Sequence, residues 1–317
     1  MAVSSLSQLF RAVAPEKKEG DVTISYSQFA MWSVCPHKWK VNYIDRNRLG
    51  GPSIHTVFGT AMHETLQYWL YVMFNQSIKE AEKLNLDSCL QEQMTQNYML
   101  SVQDGNNGEH FSNPQELQEF YNDGLEIIDW LKKHRTDYFT NKRYELVGIE
   151  MPIYTRASDV NEKVIMNGFL DLVFREIATG RIIIIDIKTS TRGWNDSAKK
   201  DKIKASQLVL YKSYFAKQYG YDEENIDVKY FIVRRKLLEG YMYPQKRVQE
   251  FVPASGKPTR KKLQLEIDEF IKSAFNADGS YRKDGNFPAV GGQGFTNCKY
   301  CEFAKLEDVC PKLNRIK

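Results

Sequence analysis

Asp171, Asp186 and Lys188 are the residues of this 317-residue chain whose types and spacing most directly suggest chemistry. Asp171 lies eight residues before Thr179 and Asp186 seven residues after it, so the two are opposite, or one step apart, in an antiparallel hairpin. Alternation along a strand places Asp186 and Lys188 on one face and Ile187 on the other. Facing carboxylates repel unless a cation lies between them, and carboxylate oxygens suit Mg²⁺ or Mn²⁺. Such an ion lowers the pKa of a bound water, and an adjacent lysine can stabilise charge on a phosphate.

A second reactive group consists of cysteines near both ends of the chain. Cys35 lies near the N-terminus, and Cys298, Cys301 and Cys310 fall within the last twenty residues. A C-x-x-C pair supplies two thiolates from one turn, as in zinc and iron–sulfur sites, and three clustered cysteines need a distant fourth ligand. We therefore expect Cys35 to complete one metal centre that brings the chain ends together. Cys89, in a polar helical stretch, is expected to be a spare thiol.

Composition places the chain among globular proteins of a reducing compartment. Its residues are 42% hydrophobic and 13% aromatic, within the globular range. Five cysteines are an odd number and too few for a disulfide framework, which favours metal-bound thiolates. No apolar run approaches the roughly 18 residues of a membrane span, and the N-terminus lacks a signal-peptide layout. We expect an intracellular protein without membrane association.

Positive charge is concentrated in the second half of the chain. The net charge is only +4, but basic runs occur at Lys199–Lys204, Arg234–Lys236 and Lys257–Lys262. Each run alone is as readily explained by a solvated surface. Around an acidic centre, however, such runs would let a polyanion approach carboxylates that otherwise repel it.

The hydrophobic periodicity predicts helices in both halves of the chain and strands between them. Residues 1–21 are expected to be a flexible lead-in. Helices are predicted from Ser25 or Ser27 to Val34, over Val57–Asn75, within 77–103 and 115–140, and over Lys204–Gln218 and Lys261–Asn276. Strands are predicted at Tyr144–Tyr154, Val164–Arg175, Arg181–Thr189 and Val228–Arg234, and the approach to the last cysteines is predicted to lack strands.

Several motifs together resemble a known family. Gly168-Phe-Leu-Asp171 followed by Ile184-Ile-Asp186-Ile-Lys188-Thr-Ser190 resembles the PD-(D/E)xK nuclease core, in particular its RecB-type branch. Further marks resembling that branch follow its order along residues 25–310, namely Ser25-Tyr-Ser-Gln-Phe, Cys35-Pro-His-Lys-Trp39, Phe58-Gly-Thr-Ala-Met-His63, Gln207 with Tyr211, and the closing C-x-x-C…C. Two departures are Leu170, where the family name has proline, and eight residues between Cys301 and Cys310, a longer spacing than in the family.

The resemblance implies a fold and an organisation. It implies an α/β, restriction-endonuclease-like core with a mixed central sheet flanked by helices, an N-terminal helical part and a C-terminal iron–sulfur or zinc segment. Residues 22–317 would form one nuclease domain, with a mainly helical part at 22–140, a catalytic core at 144–250 and a helix with the metal-cluster segment at 261–317.

The resemblance also implies roles for individual residues. His63, Asp171, Asp186 and the Ile187 carbonyl would hold Mg²⁺ or Mn²⁺, and Lys188 would act on water or phosphate. Gln207 and Tyr211, which share a helix face, would position the substrate strand or the lysine. Cys35, Cys298, Cys301 and Cys310 would hold a 4Fe–4S cluster, with Zn²⁺ as the alternative. Without the resemblance His63 is more simply a packed histidine, and Glu150 is equally an acidic ligand or a strand-end charge. Arg156 and Arg192 are more simply exposed charges than phosphate contacts.

The resulting functional prediction is a metal-dependent DNA nuclease, specifically an exonuclease acting on single-stranded DNA or DNA ends. The alternative is a non-catalytic DNA-binding or adaptor module of a recombination or CRISPR complex, or a zinc-stabilised nuclease. Because no helicase motif occurs, the expected partners besides DNA are a helicase, a recombinase or a CRISPR integration protein. The resemblance places the protein in the cytoplasm of a prokaryote or among phage-encoded proteins.

Overall fold

The computed structural model describes residues 6–238, 240, 242–243, 245–291, 298–312 and 315–316. Its helices are α1 Tyr26–Val34, α2 Pro36–Tyr43, α3 Ile54–Asn75, α4 Ile78–Glu82, α5 Leu86–Gly105, α6 Pro114–Lys133, α7 Arg135–Tyr138, α8 Asp196–Lys200, α9 Lys202–Tyr219 and α10 Lys257–Ala274. Its strands are β1 Val22–Ile24, β2 Tyr144–Arg156, β3 Val164–Glu176, β4 Ile182–Ser190, β5 Ile226–Arg234, β6 Val248–Phe251, β7 Ala289–Val290 and β8 Arg315–Ile316.

Strands β1 to β6 form one mixed sheet. β3 pairs antiparallel with β2 on one edge and with β4 on the other, which confirms the predicted β3–β4 hairpin. β4 then pairs parallel with β5, and β5 pairs antiparallel with β6. Helices cover both faces of this sheet, so the predicted α/β architecture with a mixed central sheet is confirmed.

One edge of β3 is shared by two strands. β1 pairs with its beginning, Val164 to Met166, whereas β4 pairs with Leu172 to Arg175. The stretch between these two pairings includes Asp171. Strand β1 has only three residues, too few for a periodic pattern, and was not predicted from the sequence. Because β1 and β4 pair with different parts of β3, the sheet has a gap at the point where β3 and β4 separate.

The two faces of β4 belong to different hydrophobic cores. Ile183, Ile185 and Ile187 pack into the core formed with α3, α5 and α6. Ile182 and Ile184 pack into the core formed with α9 and α10. Because side chains alternate along a strand, Asp186 and Lys188 continue the second face and lie on the α9 side.

Helix α3 approaches the end of β4 closely. A Cβ atom added to Gly59 would lie 3.1 Å from the Thr189 hydroxyl, tighter than ordinary van der Waals contact. Glycine at this position therefore lets the helix backbone come close to the strand. One helical turn later, His63 reaches the gap between β3 and β4.

The N-terminal helices and the C-terminal segment lie together. Ser25 caps α1, as predicted, and Cys35 has extended backbone between α1 and α2, with Pro36 opening α2. Strands β7 and β8 pair in the C-terminal segment, so the prediction that the approach to the cysteines lacks strands is wrong. A two-residue strand gives no alternation that a sequence pattern could reveal.

The start of the chain packs against α3. Residues 6–9 form one 3₁₀ turn, and Phe10 is buried with its ring 5.9 Å from that of Tyr71. The extent of the flexible lead-in over residues 1–21 stays a prediction. Among the described helices, none is long and apolar enough to cross a membrane.

A buried ion-pair network joins α6 to the end of β5, and it carries a stability prediction. Asp123 on α6 is 8% exposed; it pairs with Arg235 and, at 3.0 Å, with Lys236. Asp123→Ala would leave the buried Arg235 guanidinium without its closest partner. We expect the free energy of unfolding, measured in urea, to fall by about 3 kcal/mol.

The matched control lies on the same helix. Asp129 forms an exposed ion pair with Lys133, so Asp129→Ala should change the free energy of unfolding by less than about 0.5 kcal/mol. Equal effects of the two substitutions would contradict a structural role for the buried network.

Candidate active site

The two aspartates lie where the hairpin opens. The β3–β4 ladder ends at the Leu172–Ile185 pair, and Asp171 and Asp186 come next in the same register. The predicted opposition of these two residues is confirmed by that register. Instead of a further ladder bond, the Asp171 Oδ2 atom accepts a hydrogen bond of 2.7 Å from the Ile187 N–H. The carboxylate thus takes the position that a backbone carbonyl would occupy in a closed hairpin.

Lys188 bridges this acidic pair and helix α9. Its Nζ lies 2.8 Å from Asp186 Oδ2 and 3.3 Å from the Gln207 side-chain oxygen. Asp186 is 7% exposed, and apart from the Lys188 ammonium its Oδ2 has no hydrogen-bond partner among the described residues. A buried carboxylate oxygen of this kind has capacity for a cation ligand.

His63 enters from the opposite face of the sheet. Its Nε2 contacts the Ile187 carbonyl oxygen, and its Nδ1 lies 3.6 Å from Asp171 Oδ2. If Nε2–H donates to that carbonyl, Nδ1 and Oδ2 are two acceptors facing each other, an arrangement that needs a proton or a cation between them. Burial and the Lys188 charge lower the pKa of His63, which favours the neutral, ligating form of the imidazole.

Burial and mutual repulsion govern the charges of the aspartates and the lysine. Burial, together with the Asp186 charge, raises the pKa of Asp171 well above its ordinary value. Burial alone would lower the pKa of Lys188, but the Asp186 and Asp171 charges outweigh it and raise that pKa. Lys188 is therefore a firmly protonated cation beside a carboxyl group that resists ionisation. We call His63, Asp171, Asp186 and Lys188 the acidic site.

Gln207 and Tyr211 on α9 lie beside the acidic site, and the helical i,i+4 spacing brings them together. Gln207 contacts the Tyr211 hydroxyl as well as Lys188. A Cβ atom added to Gly168 would lie 2.7 Å from that hydroxyl, so glycine lets the tyrosine reach the backbone of β3. Burial raises the pKa of Tyr211, which keeps its hydroxyl protonated.

Gln67, Glu150 and Arg11 form a chain of contacts beside the acidic site. Of these, the sequence pointed only to Glu150. Gln67 is buried and donates to Glu150 Oε1 at 2.8 Å and to the Asp171 carbonyl at 3.3 Å. Arg11 lies 3.5 Å from Glu150, whose backbone has a positive φ of 49°. Gln67 lies one helical turn after His63, a spacing that could have identified it. Arg11 follows no pattern, because its position depends on how the chain start packs.

The four predicted cysteine ligands line one small cavity. Cys35, Cys298, Cys301 and Cys310 surround a space of about 20 Å³. Cys89 lies elsewhere, with its Sγ 3.8 Å from the Thr65 hydroxyl. No disulfide involves any of the five thiols.

The cysteine cavity lies between the chain ends, which other contacts also join. The His37 Nε2 atom lies 2.8 Å from the Val309 carbonyl, and Lys38 pairs with Glu302 at 3.0 Å. These contacts link α2 to the C-terminal segment. The predicted meeting of the two ends is therefore observed.

Comparison with known families identifies the chain. The sequence model of the PD-(D/E)XK nuclease superfamily matches residues 23–311, which includes both aspartates and Lys188. The chain belongs to the PD-(D/E)XK nuclease superfamily. No curated protein matches it. As a member of this superfamily it is a nuclease, and members act on DNA and typically use Mg²⁺ or Mn²⁺.

The acidic site of this PD-(D/E)XK nuclease has the donor chemistry of such an ion. Two carboxylates, a backbone carbonyl and a neutral imidazole converge at the β3–β4 gap, and hard divalent cations prefer oxygen donors. The buried Asp186 Oδ2 and the facing acceptors of His63 and Asp171 fit a cation. Within the described ranges, no three His, Cys, Asp or Glu side chains are already grouped as a metal site.

The elevated pKa of Asp171 predicts how the metal-free nuclease responds to pH. Between the ordinary aspartate pKa and this raised pKa, the folded protein binds more protons than the unfolded chain, so stability falls as pH rises through that window. Asp171→Asn removes the repulsion and can still accept the Ile187 N–H. In chelator we expect its Tm to exceed that of the wild type by a few degrees at neutral pH, with a smaller difference at lower pH.

Asp227→Asn is the control for this experiment. Asp227 pairs with Arg181 at 2.7 Å, and that hydrogen bond lowers its pKa. Its removal should leave the Tm unchanged or lower it. A lower Tm for Asp171→Asn at neutral pH would show that the two aspartates do not repel in the folded protein.

Proposed function

We propose that this protein is a metal-dependent deoxyribonuclease, specifically an exonuclease that hydrolyses phosphodiester bonds of single-stranded DNA or DNA ends. The observation that carries the proposal is the convergence of Asp171, Asp186, Lys188 and His63 at the gap between β3 and β4. We also propose that residues 22–317 act as one nuclease domain. The RecB-type branch is supported by the order of the motifs along the chain.

His63, Asp171, Asp186 and the Ile187 carbonyl would hold the divalent ion. When bound, Mg²⁺ or Mn²⁺ supplies positive charge beside the scissile phosphate and lowers the pKa of water. Lys188 then adds a fixed positive charge where negative charge develops on the phosphate. Asp186 and Gln207 hold the Lys188 ammonium group in place from two sides.

Gln207 and Tyr211 would position the strand and the lysine. Both side chains lie on the α9 face towards the acidic site, and Gln207 joins Tyr211 to Lys188. A protonated tyrosine hydroxyl can donate to a phosphate oxygen. Positioning of this kind accounts for a large part of enzymatic rate acceleration.

The four cysteines would hold a 4Fe–4S cluster, with a Cys₄ zinc site as the alternative. Support comes from the common cavity that all four thiols line and from the absence of disulfides among them. Burial raises the pKa of the Cys301 thiol, and metal coordination would offset this by stabilising the thiolate. Absorbance near 400 nm and metal analysis of the purified protein separate the two identities.

A set of labelled substrates tests the exonuclease proposal. Linear single strands labelled at either end, a blunt duplex and a circular single strand are incubated with the protein and Mn²⁺. We expect the linear strands to be degraded from one end and the circle to resist. Cleavage of the circle as fast as the linear strand would establish an endonuclease instead.

The competing function is a non-catalytic DNA-binding or adaptor module. It has little use for a buried carboxylate whose oxygen contacts a lysine beside a second carboxylate, because such a group repels phosphate. The retention of Asp186 with Lys188 therefore favours catalysis. Binding of every substrate without cleavage would favour the adaptor.

A further inference from the structure

A polar pocket opens beyond the end of β4, beside the acidic site. It is lined by Ser190, Gly193, Trp194, Asn195, Lys200 and Lys204, among others, and its volume is about 900 Å³, within the range of small-molecule sites. Lys204 lies one turn before Gln207 on α9, and Gln207 contacts Lys188. The Trp194 pocket, as we call it, thus lies one helical turn along α9 from a residue that contacts the acidic site.

Trp194 is held in place by contacts on several sides. Its backbone N–H donates to the Gln249 side-chain oxygen at 2.8 Å, and its carbonyl accepts from the Gln249 amide at 2.9 Å. Its ring packs against Tyr230 and Phe251, with centroid distances of 4.9 and 5.9 Å. The indole remains half-buried and lines the pocket. A fixed, partly exposed indole is a preformed surface for stacking, since little entropy is lost when a planar group packs on it.

The charged side chains of the Trp194 pocket are mainly basic. Lys200 and Lys204 are exposed, and neither forms an ion pair within the described part of the chain. The Lys204 ammonium lies 5.8 Å from the Trp194 ring centroid. The pocket's acidic residue, Asp201, is engaged in capping α9 by accepting the Ile203 and Lys204 N–H groups. The free charge facing the pocket is therefore positive.

We propose that the Trp194 pocket binds one nucleotide of a single DNA strand next to the scissile phosphate. The base stacks on the Trp194 indole in place of the Lys204 ammonium, which moves from the ring to contact a backbone phosphate, as Lys200 does. Aromatic side chains beside cationic ones form the usual surface for single strands. Duplex bases are already stacked on one another, so only a single strand or a frayed end can use this pocket. The inference rests on the proposed function and assigns it a strand preference.

Fluorescence anisotropy with a labelled single strand, in chelator so that no strand is cut, tests the pocket. Trp194→Ala should weaken binding by about 5- to 100-fold, the effect of losing one stacked base. Binding of a blunt duplex should change less than twofold, and Trp194→Phe should retain most of the affinity. Trp130→Ala is the matched control, because Trp130 is also half-buried but stacks on His134 within the helical part.

An abasic scan separates stacking from a structural role of Trp194. One abasic position in the strand should weaken binding to the wild type and to Trp130→Ala, but should have no further effect on Trp194→Ala. Lys204→Gln should reduce the slope of log affinity against log salt by about 0.7, the value for one phosphate contact on a single strand.

The inference is overturned if Trp194→Ala binds the single strand within twofold of the wild type. The inference is also overturned if no single abasic position in the strand weakens binding to the wild type. That test does not depend on any variant being folded. Failure of the pocket differs from failure of the proposed nuclease. If Lys188→Ala abolishes hydrolysis while the abasic scan is flat, the nuclease assignment stands and the pocket does not.

Discussion

Lys188→Ala is expected to lower the rate of DNA hydrolysis by about 10³-fold, with DNA binding reduced far less. Lys188 is a partly exposed cation held by Asp186 and Gln207, and its charge lies where a phosphate would approach the acidic site. Its removal takes away charge stabilisation that matters most in the transition state. Single-turnover cleavage of a labelled strand in saturating Mn²⁺ measures the chemical step directly.

Lys229→Ala is the matched control for Lys188→Ala. Lys229 is also a strand lysine paired with an acidic residue, Glu250, but it lies on β5 opposite Ile185. We expect this variant to cleave at close to the wild-type rate. Circular dichroism and thermal melting with Mn²⁺ present should show that both variants are folded. Cleavage by Lys188→Ala within tenfold of the wild type would contradict the role proposed for the lysine.

Cys298→Ser is expected to have the largest effect on stability. If the four cysteines hold one metal centre, that centre links the start of α2 to the C-terminal segment. The loss of one thiolate would then weaken or remove this link. The binding free energy of a structural metal is folding free energy, so we expect the Tm to fall by on the order of 10 °C. Absorbance near 400 nm, or bound zinc, should fall in parallel, and DNA binding should weaken.

Cys89→Ser is the control, since Cys89 contacts Thr65 in the helical part and lies outside the cysteine cavity. It should leave metal content and Tm unchanged. The contacts of His37 with Val309 and of Lys38 with Glu302 remain in Cys298→Ser and could hold the chain ends together. A Cys298→Ser variant with wild-type Tm, metal content and activity would show that these contacts suffice and that the proposed centre is not structural.

The β3–β4 hairpin could be predicted from the sequence because its pattern is local. Residues of equal distance from a turn face each other in an antiparallel hairpin, which located Asp171 opposite Asp186. The long apolar run of β4 is also a local pattern, and it is typical of a central strand buried on both faces. The roles proposed for Gln207 and Tyr211 come from the resemblance, because their i,i+4 spacing alone indicates only a shared helix face.

Features that depend on distant packing could not be predicted. The short β1 inserts beside β3 and helps to create the gap that exposes Asp171, but three residues carry no periodic signal. Arg11 reaches Glu150 only because the chain start packs on α3. No local sequence pattern predicts the position of Trp194 either. That position depends on a contact with Gln249, which lies 55 residues later in the chain. These are long-range contacts, and local sequence does not encode them.

We propose that Asp186 and its neighbours would hold the divalent ion on which DNA cleavage depends, and Asp186→Asn tests this most directly. The measurement is the single-turnover rate of cleavage of a labelled single strand, for wild type and variant, in Mn²⁺ and in chelator. Because the substitution keeps the shape of the side chain and removes its charge, we predict cleavage by the wild type only with Mn²⁺ and a rate at least about 10³-fold lower for the variant. Equal cleavage by both proteins, or undiminished cleavage in chelator, would contradict the assignment.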